Sequence, residues 1–489
     1  MKLSTLLAPW MVLNTDCNIL NLQHDSRLVK PGDLFLAYPG HVVDGRAFIA
    51  DALAKGAAAV LYEPANLPPD ILHPEDNADA ICIPIVDLSM KRGLIASRFY
   101  GEPTRCFSVT GVTGTNGKTT IAYQLAQAYE RLGLTSAYLG TLGQGPVADI
   151  KPIKHTTPEP LALQHFFYES KLRGTEVMCM EVSSHALAQG RVAGIEFTQA
   201  IFTNLTHEHL DYHKTMQGYA EAKALLFAMP TLKWAIINAD DAYGAIMSEQ
   251  ARGECNILTY GIDTACDVRA ADIVMTMRGT SFTVTSPWGC FSVQVKLIGL
   301  FNIYNSLAVI GSLLAAGFSS QQVVDVMREL KPSPGRMEIV HENPCVIIDY
   351  AHTPDALANV LLTLEQLKQR ELHVVFGCGG DRDKTKRPMM GEIASRYANH
   401  LVITSDNPRT EEPLTIIDDI VQGLNSSQIK TIDPDRKHAI YKTLHMAHPD
   451  DLILIAGKGH EDYQEIGKMR FPFSDQDVVR SFYQNLVLP

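Results

Sequence analysis

The sequence predicts an α/β protein of three domains, on three observations. Short apolar runs recur along the chain and alternate with helical patterns, which favours largely parallel sheets with helices on both faces. Most of these runs end in clusters of Gly, Asp, His and Thr, where open α/β sheets carry their chemistry. The chain has 489 residues, too many for one typical domain, and Pro332-Ser333-Pro334-Gly335-Arg336 reads as a flexible interdomain linker.

Residues 1–88 read as a small α/β unit. Met1 to Leu13 is mildly apolar but short and interrupted by Pro9, so a first helix is expected rather than a signal peptide. Val29 to Ala37 is a turn entering a strand, Gly40 to Arg46 a loop, Ala47 to Lys55 a helix, and Gly56 to Tyr62 a second strand. Nothing here looks catalytic by itself; a capping or recognition role is the plain reading. Residues 89–331 follow, with strands expected at 107–112, 135–140, 177–182, 199–204 and 234–239. Residues 332–489 form a third α/β unit. Its strands run into Asp349-Tyr350-Ala351-His352, Gly377-Cys378-Gly379-Gly380-Asp381-Arg382, Ser405-Asp406-Asn407-Pro408-Arg409 and Ala456-Gly457-Lys458-Gly459-His460-Glu461.

The most informative stretch is Thr113-Gly114-Thr115-Asn116-Gly117-Lys118-Thr119-Thr120. Phe107-Ser108-Val109 precedes it as a strand. A helix follows, with Ile121, Leu125, Ala128 and Leu132 on one face and Gly133 as its stop. Strand, glycine-rich turn, Lys-Thr and helix make a nucleotide-phosphate cradle. Backbone N–H groups close on phosphate oxygens, Lys118 adds charge near the terminal phosphates, and the Thr119 hydroxyl can hold Mg²⁺. The pattern departs from the usual P-loop at one place, with Val112 where glycine is usual.

Composition sets the outer limits. Hydrophobic residues make up 46% of the chain, enough for sizeable cores, and the net charge of −12 argues against a nucleic-acid or anionic membrane surface. An acidic protein that binds polyanionic phosphates must concentrate its cations locally. The nine cysteines form no CxxC pair, so most are expected to be reduced core residues of a cytosolic protein, with Cys378 beside a site as the exception to test. No apolar run reaches membrane-spanning length.

Taken in order, Thr113 to Thr120, Glu181 to His185, His209-Leu210-Asp211, Asn302-Ile303-Tyr304-Asn305, Pro334-Gly335-Arg336 and Asp349 to His352 resemble the Mur ligase family over essentially the whole chain. The resemblance implies an N-terminal UDP-binding domain, a central P-loop ATPase domain and a C-terminal Rossmann-like domain in a cytoplasmic, monomeric enzyme. Asp406-Asn407-Pro408-Arg409 and Gly457-Lys458-Gly459-His460-Glu461 resemble the branch that adds meso-diaminopimelate. The implied reaction transfers the ATP γ-phosphoryl to the D-glutamate γ-carboxylate of UDP-N-acetylmuramoyl-L-alanyl-D-glutamate. The diamino-acid amine then displaces phosphate from the acyl phosphate.

The resemblance also implies roles for residues. Gly114 to Thr120, Asn302, Asn305, Arg336 and Asp349 would bind ATP. Thr119 and Glu181 would hold Mg²⁺, with His209 and a CO₂-derived carbamate on Lys223 at a second ion; from sequence alone Lys223 is an ordinary helical lysine. His207 and His213 are expected to be structural. The UDP-dipeptide would meet Ser26, His41, Thr156, Thr157, Ser183, Gln189 and Arg191, although His155 stands where the family has Asn. Arg409 would read the distal carboxylate of diaminopimelate through two parallel hydrogen bonds. Glu461 would take its distal ammonium, and Arg382, Asp406, Asn407, Pro408 and Gly457 would complete the pocket. Other readings fit parts of the pattern. A lysine-adding relative would depart at Arg409. A folylpolyglutamate synthetase would lack the first unit, and a P-loop switch would need no acceptor for turnover.

Overall fold

The computed structural model describes the chain except for residues 41–42, 68–80, 252, 425–429 and 488–489; His41 therefore lies outside the described residues. Three main sheets follow one another along the chain, with a small hairpin near its end. The first has four parallel strands, in the order Asn21–Gln23, Asp33–Ala37, Ala59–Tyr62 and Cys82–Pro84. The expected first helix forms over Leu3–Leu7 and buries three leucines.

The central sheet has ten strands. Ser108–Thr113 lies at its middle, parallel to Val177–Glu181 on one side and to Gln199–Phe202 on the other. The chain leaves Ser108–Thr113, passes over its neighbour to Ser136–Gly140, returns through Val177–Glu181, and then crosses to the opposite side. That reversal opens a crevice above the carboxyl ends of the middle strands. Side chains alternate between two cores. Val112, Cys179, Ile201 and Ile236 pack below Lys118–Arg131 and Leu300–Ala315, while Val109, Met178, Phe202 and Ile237 meet the helices of the other face. All five expected strands are present.

The sequence reading did not foresee Val268–Thr276, Gly279–Ser286 and Gly289–Val295, which extend the sheet edge. The last two pair antiparallel. Their alternation of buried and exposed residues was the available signal.

The third sheet has six strands in the order Glu338–Glu342, Cys345–Asp349, Leu452–Ala456, Leu372–Phe376, His400–Thr404 and Lys430–Asp433; all but the first pair are parallel. Its motifs sit at the carboxyl ends, facing the central sheet's crevice. Arg436 braces two of those ends from beneath. Its Nη1 and Nη2 donate to the carbonyls of Ser405 and Ala456, and its Nε and Nη2 donate to the Asp475 carboxylate at 2.8 and 2.7 Å. Both partners are fully buried.

Two expectations about packing fail. The segment before Arg336 is not a loose linker. Ser333 is buried, Gly335 N–H donates to Glu338 at 2.7 Å, and a Cβ on Gly335 would overlap the backbone of Gly459 and His460. Its small residues let the chain lie against the 457–460 loop, which fixes it. Nor are most cysteines in the core: of the nine free thiols only Cys179 and Cys378 are buried.

Removing one partner of a buried ion pair strands the other charge. Arg436→Ala is therefore expected to lower stability by about 3–5 kcal/mol in denaturant unfolding. The paired Arg436→Met, Asp475→Leu variant is expected to recover most of that loss. A single-variant cost below about 1 kcal/mol would show that the pair does not brace the strand ends.

Candidate active site between the second and third sheets

The loop 114–117 leaves strand Ser108–Thr113 and enters helix Lys118–Arg131. Gly114 holds φ +149°, and a Cβ there would overlap the Thr203 hydroxyl, so only glycine lets the loop lie against Gln199–Phe202. Val112 explains itself here. It is still within the strand and fully buried, and its carbonyl accepts from Val182 N–H, so the turn has not yet begun. Thr203 Oγ1 donates to the Asn116 carbonyl at 2.6 Å, and Asn204 Oδ1 accepts from Asn116 N–H at 2.9 Å. These bonds hold the loop open.

Three cations converge on it. Lys118 Nζ donates to the carbonyls of Gly114 and Thr115 at 2.8 and 2.7 Å. Lys223 Nζ, almost fully buried, donates to the same Gly114 carbonyl at 2.8 Å. Arg336 lies over the Tyr350 ring, its Cζ 4.4 Å from the centroid, and reaches Thr119 Oγ1 at 3.4 Å. Burial pulls the Lys118 ammonium below the ordinary lysine range, opposed by Glu181 and Glu208 and reinforced by Arg336. Burial drives Lys223 well below that range, and the neighbouring charge of Lys118 adds to the effect.

Opposite the cations stands Glu181, fully buried at the end of Val177–Glu181. Its Oε1 accepts from Tyr138 Oη at 2.6 Å and Thr141 N–H at 2.8 Å; Oε2 receives only the Thr141 hydroxyl, at 3.2 Å. His209 caps the short helix Leu210–His213 with φ +58°. Burial holds its imidazole below the ordinary value, as it does for His185, pushed down to about 4 beside His209 and His213. His213 bonds Ser184 Oγ at 2.9 Å and stacks on Tyr219, the structural part expected of it, whereas His207 lines the cleft beyond. Asn302 and Asn305 are hydrogen-bonded to each other at 2.9 Å and line the nucleotide side of the cavity. Asp349 lines it too, but its two oxygens accept from Met337 and Ala351 N–H, both at 2.7 Å.

The cradle cavity, about 480 Å³, adjoins a cleft of about 1530 Å³ toward the third sheet. Thr156, Thr206, Glu208, His209, His352 and Asp355 line both. The cleft's far wall includes Arg382, Asp406, Asn407, Arg409, Gly457 and Glu461, so six of the seven residues expected around the amino acid come together there. The seventh, Pro408, is buried behind them. Glu461 Oε2 accepts from Lys458 Nζ at 3.0 Å and Asn407 Nδ2 at 2.8 Å; burial raises its carboxyl against the pull of Lys458. Met337, Arg409, Asp381 and His209 hold φ of +47° to +58°, a strained region for such side chains. Strain of this kind collects at functional sites because surrounding contacts must enforce it.

The residues expected for the UDP-dipeptide are only partly gathered. Thr156 and Ser183 line the cradle cavity. Thr157 Oγ1 donates to the Glu181 carbonyl and accepts from Ser183 N–H, and Arg191 donates to the Thr157 carbonyl and to Gln189 Oε1. Arg191 is no free surface arginine, since it pairs with Glu159 at 3.1 Å. Glu159 also meets Arg92, which lies over the Tyr38 ring of the first unit. Ser26 lines neither cavity; its carbonyl is held by Lys55. His155 is exposed. Cys378 is buried against Met390, its thiol pushed up to about 12 by burial, and lines neither cavity.

Sequence reasoning missed several residues. Glu208 stands between His209 and His352, at 3.7 and 3.9 Å, where the two cavities meet. Burial opposes its ionisation, but His209, His352, Lys118 and Lys223 together hold its carboxyl below the usual value. Asp355 Oδ2 accepts from Asn116 Nδ2 at 2.9 Å and ties the third unit to the phosphate loop. The acidic position inside His207-Glu208-His209 was the one signal available.

Comparison with known proteins agrees with this architecture. Residues 18–100, 112–313 and 335–459 match the family models described as Mur ligase family, catalytic domain; Mur ligase middle domain; and Mur ligase, glutamate ligase domain. A relative from Chromobacterium violaceum, named UDP-N-acetylmuramoyl-L-alanyl-D-glutamate--2,6-diaminopimelate ligase, is 45% identical over 94% of this chain and 93% of its own. A relative of the same name from Coxiella burnetii is 43% identical over 96% of both. A solved structure with that name in its title superposes with a TM-score of 0.74 at 36% identity, covering 99% of both chains. With its phosphate loop facing the Arg409 cleft, and with relatives matched over nearly its full length, this chain belongs to the Mur ligase family.

Proposed function

We propose that the protein is an ATP-dependent ligase that joins meso-2,6-diaminopimelate to the D-glutamate γ-carboxylate of UDP-N-acetylmuramoyl-L-alanyl-D-glutamate, a step in building peptidoglycan precursors in the cytoplasm. The observation that carries this reading is the continuity of the phosphate cradle with the Arg409 cleft. A hydrolytic switch needs the first and has no use for the second. The four-stranded first sheet, set against Arg191 through Arg92 and Glu159, favours a three-part substrate over a folate chain.

The chemistry follows from the charges. A carboxylate and a triphosphate repel, so their approach requires cations that are already in place. Lys118 and Arg336 would flank the phosphate oxygens on the cradle wall. Helix Pro354–Leu367 and Tyr350 cover the site from the third unit, which keeps water from the acyl phosphate. The amine enters from the Arg409 cleft, past Glu208 and His352. Its attack forms the amide and expels phosphate.

Mg²⁺ fits the residues present. Thr119 Oγ1 and the lightly engaged Glu181 Oε2 are oxygen donors on the cradle wall, as this ion prefers. Burial favours the neutral imidazole of His209, whose lone pair would suit a second ion. An ion held by these residues would supply charge neutralisation at the phosphate oxygens. Lys223 fits a carbamate on two grounds. Burial favours its neutral amine, the form that attacks CO₂, and Lys118 would lie beside the resulting anion. The carbamate nitrogen keeps one N–H for the Gly114 carbonyl, and one proton is released.

Three measurements test this reading. ADP release is expected only when ATP, the UDP-dipeptide and diaminopimelate are all present; release that ignores omission of either acceptor would overturn the ligase assignment. Arg409→Ala is expected to weaken diaminopimelate use by roughly 2–5 kcal/mol in kcat/KM, with far less change for L-lysine. Equal losses would remove Arg409 from carboxylate recognition. Lys223→Ala is expected to fold yet lose activity by on the order of 10²-fold, and acetate or formate should restore part of it; Lys223→Arg should not respond. With ¹³CO₂, the wild type should show a carbamate NMR signal that fades as pH falls through the depressed Lys223 value, since protonation removes the nucleophile. A fully active Lys223→Ala would return this residue to a packing role.

A further inference from the structure

The hairpin Tyr463–Ile466 and Met469–Pro472 is docked on the arginine loop rather than free at the surface. Arg409 N–H donates to the Glu465 carbonyl at 3.0 Å, and Gly467 N–H donates to the Arg409 carbonyl at 2.7 Å. Gln464 Nε2 donates to the Asp406 carbonyl at 2.7 Å, and Glu465 N–H donates to Asn407 Oδ1 at 2.9 Å. These bonds need no carboxylate at position 465. Yet the Glu465 side chain turns back on the loop, and its Oε2 accepts from Arg409 Nε at 3.1 Å. On the guanidinium's other side, Nη1 donates to the Gly380 carbonyl at 2.7 Å.

A guanidinium carries five N–H groups in a fixed plane and offers two edges to a carboxylate, one through Nε and one through the terminal nitrogens. Glu465 closes the Nε edge. Gly380 takes one hydrogen of Nη1. Among the described residues Nη2 has no protein partner, so what remains for a ligand on the terminal side is Nη2 and the second hydrogen of Nη1. Arg409 is held at φ +49°, so the backbone also contributes to its direction. Arg409 lines the amino-acid cleft, while Glu465 does not.

We infer that Glu465 is a positioning residue for amino-acid selection: it occupies the Nε edge of Arg409 so that the terminal fork alone meets the substrate's distal carboxylate. This rests on the function proposed above. Without Glu465 only the Gly380 carbonyl holds the guanidinium, its Nε edge opens, and both edges compete for one ligand group. The charge of Glu465 also opposes a second carboxylate, so its neutral amide analogue should lose little: it keeps an acceptor for Nε and removes that repulsion.

The test is steady-state kinetics of the full-length enzyme with each substrate varied in turn. Glu465→Ala is expected to raise KM for diaminopimelate roughly tenfold, the size of one charge-assisted hydrogen bond, with kcat within about twofold. KM for ATP and for the UDP-dipeptide should not move, and preference for diaminopimelate over L-lysine should fall by the same factor. Glu465→Gln should bring KM back to within about threefold of the wild type. Parallel rises in KM for all substrates would mean that Glu465 only stabilises the hairpin, and would overturn the inference. An unchanged diaminopimelate KM in Glu465→Ala, beside a wild type that uses diaminopimelate, would overturn it alone. A wild type indifferent to diaminopimelate would overturn the proposed function and this inference with it.

Discussion

The site depends on one carbonyl. The Gly114 oxygen accepts from both Lys118 and Lys223, two ammonium-bearing side chains brought together inside the protein. Two full positive charges at that separation in a buried site are mutually repulsive. The structure resolves this by burial: Lys223 is driven toward its neutral form, and Lys118 is drawn down less, with Glu181 and Glu208 in opposition. The arrangement has a cost. A lysine that is neutral in the fold and charged when unfolded destabilises the fold as pH drops from the ordinary lysine range to the lowered value, and the penalty is constant below it. A chain would not keep such a group for stability. On the proposed function, what it gains is an amine open to CO₂ beside the phosphate loop.

Around that carbonyl, rigidity comes from contacts between units. Thr203 and Asn204 hold Asn116 from the central sheet, while Asp355 holds the same residue from the third. Arg336 is fixed by the Tyr350 ring and by a segment too tightly packed to act as a hinge of its own. The third unit thus contributes to the cradle directly: its arginine already touches Thr119. Water exclusion and charge placement are one constraint here, since the helix that covers the cavity carries the aspartate that orders the loop.

Much of this was legible in the sequence because it is local. Parallel strands announce themselves as apolar runs, and the turn Gly114 to Lys118 specifies its own backbone. What was not legible depends on partners far apart in the chain. Glu208 and His352 meet only because two sheets face each other, and Glu465 and Arg409 only because a hairpin folds back over a loop. Lys223 is the sharpest case. Its helix, Met216–Ala224, carries no pattern that sets this lysine apart, and nothing within it reveals that the side chain is buried against Gly114. The tightness before Arg336 was misread for the same reason. Pro and Gly signal a break in regular structure, but whether the break is loose depends on what lies against it.

The overall acidity of the chain, −12, can then be reconciled with a polyanionic ligand. Long-range attraction is not what recruits it, because exposed charges beyond about 8 Å are screened at physiological salt. On the proposed function, selectivity comes from cations that are half-buried and individually oriented: Lys118 and Arg336 toward phosphate, Arg409 toward a carboxylate. Each is held by acceptors that leave a defined set of its donors free. A surplus of surface lysines would bind any polyanion, whereas a few half-buried cations with part of their donors already committed favour a ligand whose oxygens match what remains.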